Sequence, residues 1–177
     1  WPNFYVDIRI VKEDGSEAKI GETGEFWLKG PMVMKSYWNR PELTEKAFSS
    51  DGQWFRSGDL VRKDDEGYIF VVDRLKNMYI SGAENVYPAE IERVINAMED
   101  VSESVVIGVK DAKWGEVGKA IIAWKPGVNI PSDEIIRDYI ATQLAKFKIP
   151  KYFMSLEVLP KNDAGKLDRA KLKKLYS

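Results

Sequence analysis

Four side chains in this sequence have the type and setting to act on an anionic, sugar-bearing substrate. Lys166 follows a glycine in Asp163-Ala164-Gly165-Lys166, ahead of a basic stretch. A lysine beside a flexible glycine can present its ammonium to a phosphate or a carboxylate. Asp59, in Ser57-Gly58-Asp59, is acceptor-only when ionised, which suits a diol with two donors. Arg74 follows an apolar run and can clamp an anionic ligand or simply pair with Asp73. Trp114, in Lys113-Trp114-Gly115-Glu116, can stack on a flat ligand or cover a core. Each residue also has an ordinary alternative: a surface lysine, a turn carboxylate, a local ion pair, a packing aromatic. Taken singly, none specifies a reaction.

The chain has neither cysteine nor histidine. That excludes disulfides, Cys or His zinc sites, cysteine nucleophiles and histidine bases. Chemistry is left to Lys, Arg, Asp, Glu, hydroxyls and backbone amides, and no metal ligand set is assigned. Net charge is −1 over 177 residues, so the whole chain carries no footprint for nucleic acid or an acidic membrane. The charge is uneven: residues 146–177 hold nine Lys or Arg against three Asp or Glu. No apolar run reaches the ~18 residues of a membrane span, and no signal peptide is visible, so the expected compartment is cytoplasmic. The chain begins at Trp1 and enters a strand-like run at once, which suggests a fragment of a longer protein.

The elements that must position these residues are legible in periodicity. Residues 4–11 alternate apolar and charged, as does a half-buried strand. Further strands are expected at 25–29, 54–56 and 68–72, with Ser57-Gly58-Asp59 as a turn at a strand end. Pro41 opens a short helix with Leu43, Ala47 and Phe48 on one side. The stretch 73–92 separates this β-rich part from the C-terminal half of the chain. It holds a charged corner at 73–77 and a polar turn, Ser81-Gly82-Ala83-Glu84-Asn85. Pro88 then opens a helix whose Ile91, Val94, Ile95 and Met98 share one face. Strands at 104–110, 118–125 and 152–158 alternate with a helix capped by Ser132, with Ile135, Ile136, Tyr139, Ile140 and Leu144 as its core stripe, and with a basic helix over 168–175. The fold class is α+β: a β-rich subdomain, residues 1–73, then a small domain, residues 74–177, with a mixed sheet flanked by helices. The element order suits helices on one face of that sheet.

In combination these stretches resemble the adenylate-forming (AMP-binding) superfamily of acyl-CoA synthetases, luciferase-like enzymes and peptide-synthetase adenylation domains. The resemblance covers essentially the whole chain. It rests on Gly24-Glu25 with Gly30-Pro31 and Tyr37-Trp38-Asn39-Arg40-Pro41-Glu42, on Trp54-Phe55-Arg56-Ser57-Gly58-Asp59-Leu60, on residues 68–92, on Lys113-Trp114-Gly115-Glu116, and on residues 160–169. Five blocks in one order are specific where single motifs are not.

The resemblance implies two half-reactions. A carboxylic acid, fatty or aryl, attacks the α-phosphate of ATP to give an acyl-adenylate, and coenzyme A then displaces AMP to give a thioester. Between them the small domain swings. Asp59, Val71 and Arg74 match the ATP/AMP site. Lys166 matches the catalytic lysine of adenylation, and Lys76 matches the hinge. Ser81, Gly82, Ala83, Trp114, Phe147, Lys148 and Lys151 match the coenzyme A face. Mg2+, held mainly by a large N-terminal domain not included in this sequence, would accompany ATP. The acyl pocket and phosphate loop are also absent here, so the chain alone is expected to be inactive, with the rest of the N-terminal domain as its partner. Ala83 stands where the family has glycine, which implies backbone strain or a narrower thiol tunnel. The alternatives are a luciferase-like or peptide-synthetase sibling, or a non-catalytic binding module.

Overall fold

A computed structural model describes residues 5–177. Phe4, counted in the first strand, lies outside the described residues, as does Trp1. The chain divides into two compact units between Lys76 and Asn77. The sequence reading places the division after Asp73. Arg74 stays with the first unit because it pairs in register with Asp59.

The first unit is a four-stranded antiparallel sheet in sequential order. Its strands are β1 (Asp7–Val11), β2 (Thr23–Lys29), β3 (Phe55–Lys63) and β4 (Ile69–Arg74). Ile10, Val11, Trp54, Leu60 and Val61 are its buried apolar residues. Glu25 is buried among them, but its carboxylate accepts from Trp27 Nε1 at 2.9 Å and from Arg56 at 2.9 and 3.0 Å. A buried charge with partners on two sides does not carry the penalty of an unpaired one. Helix α1 (Pro41–Lys46) starts at Pro41 as expected, but Leu43 is exposed and α1 buries no residue. Six residues make too short a helix to hold an apolar stripe against the sheet.

The second unit is built on a long hairpin, β7 (Val101–Asp111) and β8 (Gly115–Trp124). A short hairpin, β5 (Tyr79–Ser81) and β6 (Glu84–Val86), meets β8 at the single Ser81–Gly115 pair. Farther along β8, β9 (Tyr152–Leu156) runs parallel to Lys119–Ala123. The sheet is therefore mixed. The expected polar turn at 81–85 is this β5–β6 hairpin. Gly82, at φ +67°, is the first of its two loop residues, the position that a type II′ turn reserves for glycine.

The expectation of helices on one face is corrected. Helices α2 (Pro88–Asn96) and α3 (Asp133–Ala141) cover Val106, Ala120, Ile122 and Trp124. The alternate residues Val105, Ile107, Val109, Val117, Ile121 and Ala123 pack on the opposite face with Leu159 and with Leu172 of α4 (Arg169–Tyr176). Strands covered on both faces read as continuous apolar runs, which is what residues 105–109 and 120–124 are. Ile135 is exposed rather than part of the α3 stripe, while Ile136 and Ile140 are buried. Ser132 caps α3 as expected, accepting from the Ile135 amide.

Gly108 and Gly118 face each other on β7 and β8. A methyl on either would lie 2.5 Å from Tyr79, whose ring fills the slot they leave. Mid-strand glycine marks such a close approach. The Tyr79 hydroxyl is buried with no hydrogen-bond partner among the described residues, and burial, with Glu116 nearby, pushes its pKa up.

Candidate functional site

The candidate residues of the first unit converge across one strand pair. Asp59 is the register partner of Arg74, and Arg74 Nε lies 2.6 Å from Asp59 Oδ1. Ser57-Gly58-Asp59 is not a turn at a strand end; it runs through β3. Gly58, at φ +71°, lies in the register shift of β3 against β2, between the pairs Trp27–Arg56 and Glu25–Leu60. A bulge of this kind re-aims neighbouring side chains. Val71 is the partner of Val61 on β4 and is 71% exposed. The result is an acceptor-only carboxylate, a guanidinium and an uncovered apolar side chain on adjoining strands. Lys76 is exposed in the 3-10 turn Leu75–Asn77 and is the last residue of the unit.

In the second unit, Lys166 lies on a small closed loop. An isolated bridge joins Lys161 to Leu167, and the Asn162 amide donates to the Lys166 carbonyl at 2.8 Å. The Asn162 side-chain oxygen accepts from the amides of Ala164 (3.0 Å) and Lys166 (3.1 Å), and Gly165 turns the chain at φ +74°. The backbone is held and the Lys166 side chain is exposed, with no ion pair among the described residues. Beyond the loop, Asp168 caps α4 by accepting from the Lys171 amide at 2.9 Å. Arg169 then makes a fork to both Glu92 oxygens (2.5 and 2.9 Å) and donates to the Val106 carbonyl at 2.8 Å.

Trp114 lies at the tip of the β7–β8 hairpin. With Ile80, Gly82, Lys110, Asp111 and Glu116 it lines an open groove of about 700 Å³. The Gly82 amide donates to the Trp114 carbonyl at 2.8 Å. A methyl on Gly82 would come within 3.3 Å of the indole. Ser81 adjoins this groove through its pairing with Gly115. Ala83 is exposed and its φ is not positive, so the strain expected from alanine does not arise. The left-handed residue is Gly82.

The two lysines matched to coenzyme A are engaged within the unit. Lys148 Nζ is 2.8 Å from both carboxylate oxygens of Glu90. Lys151 Nζ is 2.5 Å from Asp111 Oδ2. Phe147, 40% exposed, sits beside Lys148 in the 3-10 turn Lys146–Lys148, which packs next to β6. Asp111 also accepts from the amides of Lys113 (2.9 Å) and Trp114 (3.0 Å), so one carboxylate ties the Trp114 loop to the start of β9. These bonds, that to Lys151 foremost, hold the Asp111 carboxyl below its usual range, and Asp111 raises Lys151.

The Lys166 loop and the Trp114 groove belong to opposite ends of β7. Lys161, at the base of the loop, pairs with Glu103 near the start of the strand (2.9 Å), whereas Asp111 ends it. Eight residues of extended chain separate the two anchors by ~27 Å.

Sequence reasoning missed Glu92, Arg169, Asn162 and Asp111 as supports. Asp111 precedes a loop at the spacing of an Asx turn, a local signal that could have been read. Glu92 and Arg169 are 77 positions apart and leave no such signal. Among the described residues no three His, Cys, Asp or Glu side chains cluster, so no residue is assigned to Mg2+ and no step is routed through it. Among those residues, too, no helix is long and apolar enough to cross a membrane.

Residues 90–166 match the family model of the AMP-binding enzyme C-terminal domain. The long-chain-fatty-acid–CoA ligase FadD13 of Mycobacterium tuberculosis (strain ATCC 25618 / H37Rv) is 46% identical over 98% of the chain, and the match spans 34% of that protein. A feruloyl-CoA synthase of Amycolatopsis sp is 42% identical over 99% of the chain and 35% of its own length. The solved structure of o-succinylbenzoate CoA synthetase (MenE) from Bacillus subtilis, in complex with the acyl-adenylate intermediate OSB-AMP, superposes with a TM-score of 0.87. It is 41% identical and covers 97% of this chain and 34% of its own. The chain thus spans about a third of the length of the curated relatives it matches. By these likenesses it belongs to the adenylate-forming (AMP-binding) superfamily and carries that superfamily's C-terminal domain.

Proposed function

We propose that this chain serves as the C-terminal third of an AMP-forming acyl-CoA synthetase acting on a fatty or aryl carboxylic acid. Residues 1–76, the first compact unit, close the large domain and residues 77–177 form the mobile domain, with Lys76 as the pivot at their boundary. The observation that carries the reading is the pair of sites anchored at the two ends of β7: an exposed lysine on a loop tied to Glu103, and an aromatic groove at Asp111, the two anchors ~27 Å apart along the strand. A domain serving two successive reactions needs two such faces.

In the first half-reaction the acid's carboxylate oxygen bonds to the α-phosphorus of ATP as the bond to pyrophosphate breaks. Charge builds on the phosphate oxygens, and a cation already in place lowers that barrier. Lys166 is that cation. Asp59 accepts from both ribose hydroxyls, Arg74 lies beside it toward the phosphates, and Val71 gives the nucleotide an apolar contact. In the second half-reaction the thiol of coenzyme A attacks the acyl carbon and AMP leaves. Ser81, Gly82, Ala83 and Trp114 line the path of the pantetheine arm, with Phe147, Lys148 and Lys151 nearer its nucleotide. Since Lys148 and Lys151 are paired with Glu90 and Asp111, their contribution to coenzyme A is through those networks rather than as unpaired cations.

The test is Lys166→Ala in the full-length enzyme, with the half-reactions assayed separately. Pyrophosphate release should fall at least ~100-fold, the usual scale for one transition-state charge contact. Thioester formation from supplied acyl-adenylate should stay within about twofold. Equal losses in both would refute the assignment.

A further inference from the structure

We propose that the Arg169–Glu92 fork is the positioning device for Lys166, so that its effect on the reaction is confined to adenylation. The inference rests on the role proposed above for Lys166. The loop carrying Lys166 has backbone bonds of its own, but they only close it on itself, from Asn162 to Lys166. Something else must fix it to the unit. On the entering side Leu159 is buried, and Lys161 reaches Glu103 from the surface. On the leaving side Arg169 is three residues from Lys166 and is the first residue of α4. Its guanidinium takes both oxygens of Glu92 on α2 and the carbonyl of Val106 on β7. The Val106 amide in turn donates to Glu92 Oε1 at 2.7 Å. One planar fork thus joins three elements, α2, β7 and α4, at the exit of the loop. The Arg169 and Glu92 side chains are 25% and 12% exposed, so water competes weakly for these bonds.

A lysine cannot reproduce the arrangement. Its ammonium is a point donor and cannot span two carboxylate oxygens and a carbonyl with a planar fork. The rest of α4 is held by Leu172, which is fully buried, so loss of the fork should loosen the helix start rather than release the helix. A displacement of about 1 Å at a reacting group is enough to cost on the order of a hundredfold in rate. The Trp114 groove lies at the other end of β7 and is braced separately by Asp111.

The experiment is an epistasis measurement in the full-length enzyme. Arg169→Lys and Glu92→Gln, which keep volume, are made alone and combined with Lys166→Ala, and both half-reactions are assayed. Each single change is expected to lower kcat for pyrophosphate release at least tenfold, with thioester formation from supplied adenylate within twofold. Neither should lower adenylation further once Lys166 is already alanine. A merely structural role would weaken both half-reactions and would add to the Lys166→Ala loss, and either result overturns the proposal. Unchanged adenylation in both single variants also overturns it, while leaving the role of Lys166 intact. If Lys166→Ala itself spares adenylation, the functional reading fails, and the proposal with it.

Discussion

Asp59 and Arg74 stand opposite one another on β3 and β4, with Arg74 Nε 2.6 Å from Asp59 Oδ1. The pair is half open to solvent, with the Arg74 side chain 56% exposed and that of Asp59 29%. Exposed ion pairs contribute about 0–1 kcal/mol, so stability is a poor reason for this arrangement. Asp59→Asn should therefore change unfolding free energy by less than ~1 kcal/mol in urea denaturation. Its effect on ATP should be larger. An amide offers one acceptor where two ribose hydroxyls ask for two, and hydrogen bonds to a charged group are worth ~1.5–3 kcal/mol. The KM for ATP in pyrophosphate release by the full-length enzyme should rise roughly 10- to 100-fold. A large stability loss with unchanged KM would make the pair structural.

Gly82 and Ala83 make opposite predictions although they adjoin in one turn. Gly82 has φ +67°, and a methyl there would press on the Trp114 indole at 3.3 Å. Gly82→Ala should lower stability by about 1–2 kcal/mol, the cost of a left-handed conformation for a residue with a Cβ. It should also slow thioester formation, because the groove wall moves. Ala83→Gly places a glycine at a position that needs no positive φ. It should leave thioester formation unchanged and lower stability by a few tenths to ~1 kcal/mol through the freer unfolded chain. Faster coenzyme A turnover by Ala83→Gly would show that alanine does narrow the path.

Much of this architecture is legible in the sequence because local signals agree with it. Ser132 with Asp133 and Glu134 marks the start of α3, and Ile91, Val94 and Ile95 form the buried face of α2. The missed features had weak or nonlocal signals. The β5–β6 hairpin has three-residue strands around Gly82-Ala83, too short for alternation to show. The second covered face of the sheet depends on Leu172, the one buried residue of a lysine-rich helix. Gly58 looks like punctuation, yet it is a strand residue within the register shift of β3 against β2. Of the site, Asp59 and Arg74 are paired by register, and Gly82 is joined to Trp114. The fork of Arg169 on Glu92 links residues 77 apart, which no window on the sequence can contain.

Asp111 sets the pH behaviour of the Trp114 loop. Its carboxylate is bonded to Lys151 and to the amides of Lys113 and Trp114, and these contacts lower its pKa from 3.8. A group with a lowered folded pKa contributes stability that is complete above the unfolded value and is lost as pH falls through the folded one. The Lys151 ammonium, raised from 10.5, contributes fully below that value and loses its contribution as pH rises through the higher folded one. The brace should therefore be fully intact from about pH 4 to about pH 10, weaken outside that window, and open as pH falls past the lowered Asp111 pKa or rises past the raised Lys151 one. Acrylamide quenching of Trp114, isolated as the difference between the wild type and Trp114→Phe, should be flat through neutral pH and rise below 3.8. In Asp111→Ala the quenching should already be high at neutral pH, with no acid step. Asp111→Asn keeps an oxygen for the two amides but loses the ionic bond to Lys151, so it should fall between the two. Wild-type quenching at neutral pH in Asp111→Ala would mean that the Gly82–Trp114 bond, not Asp111, holds the indole in its groove.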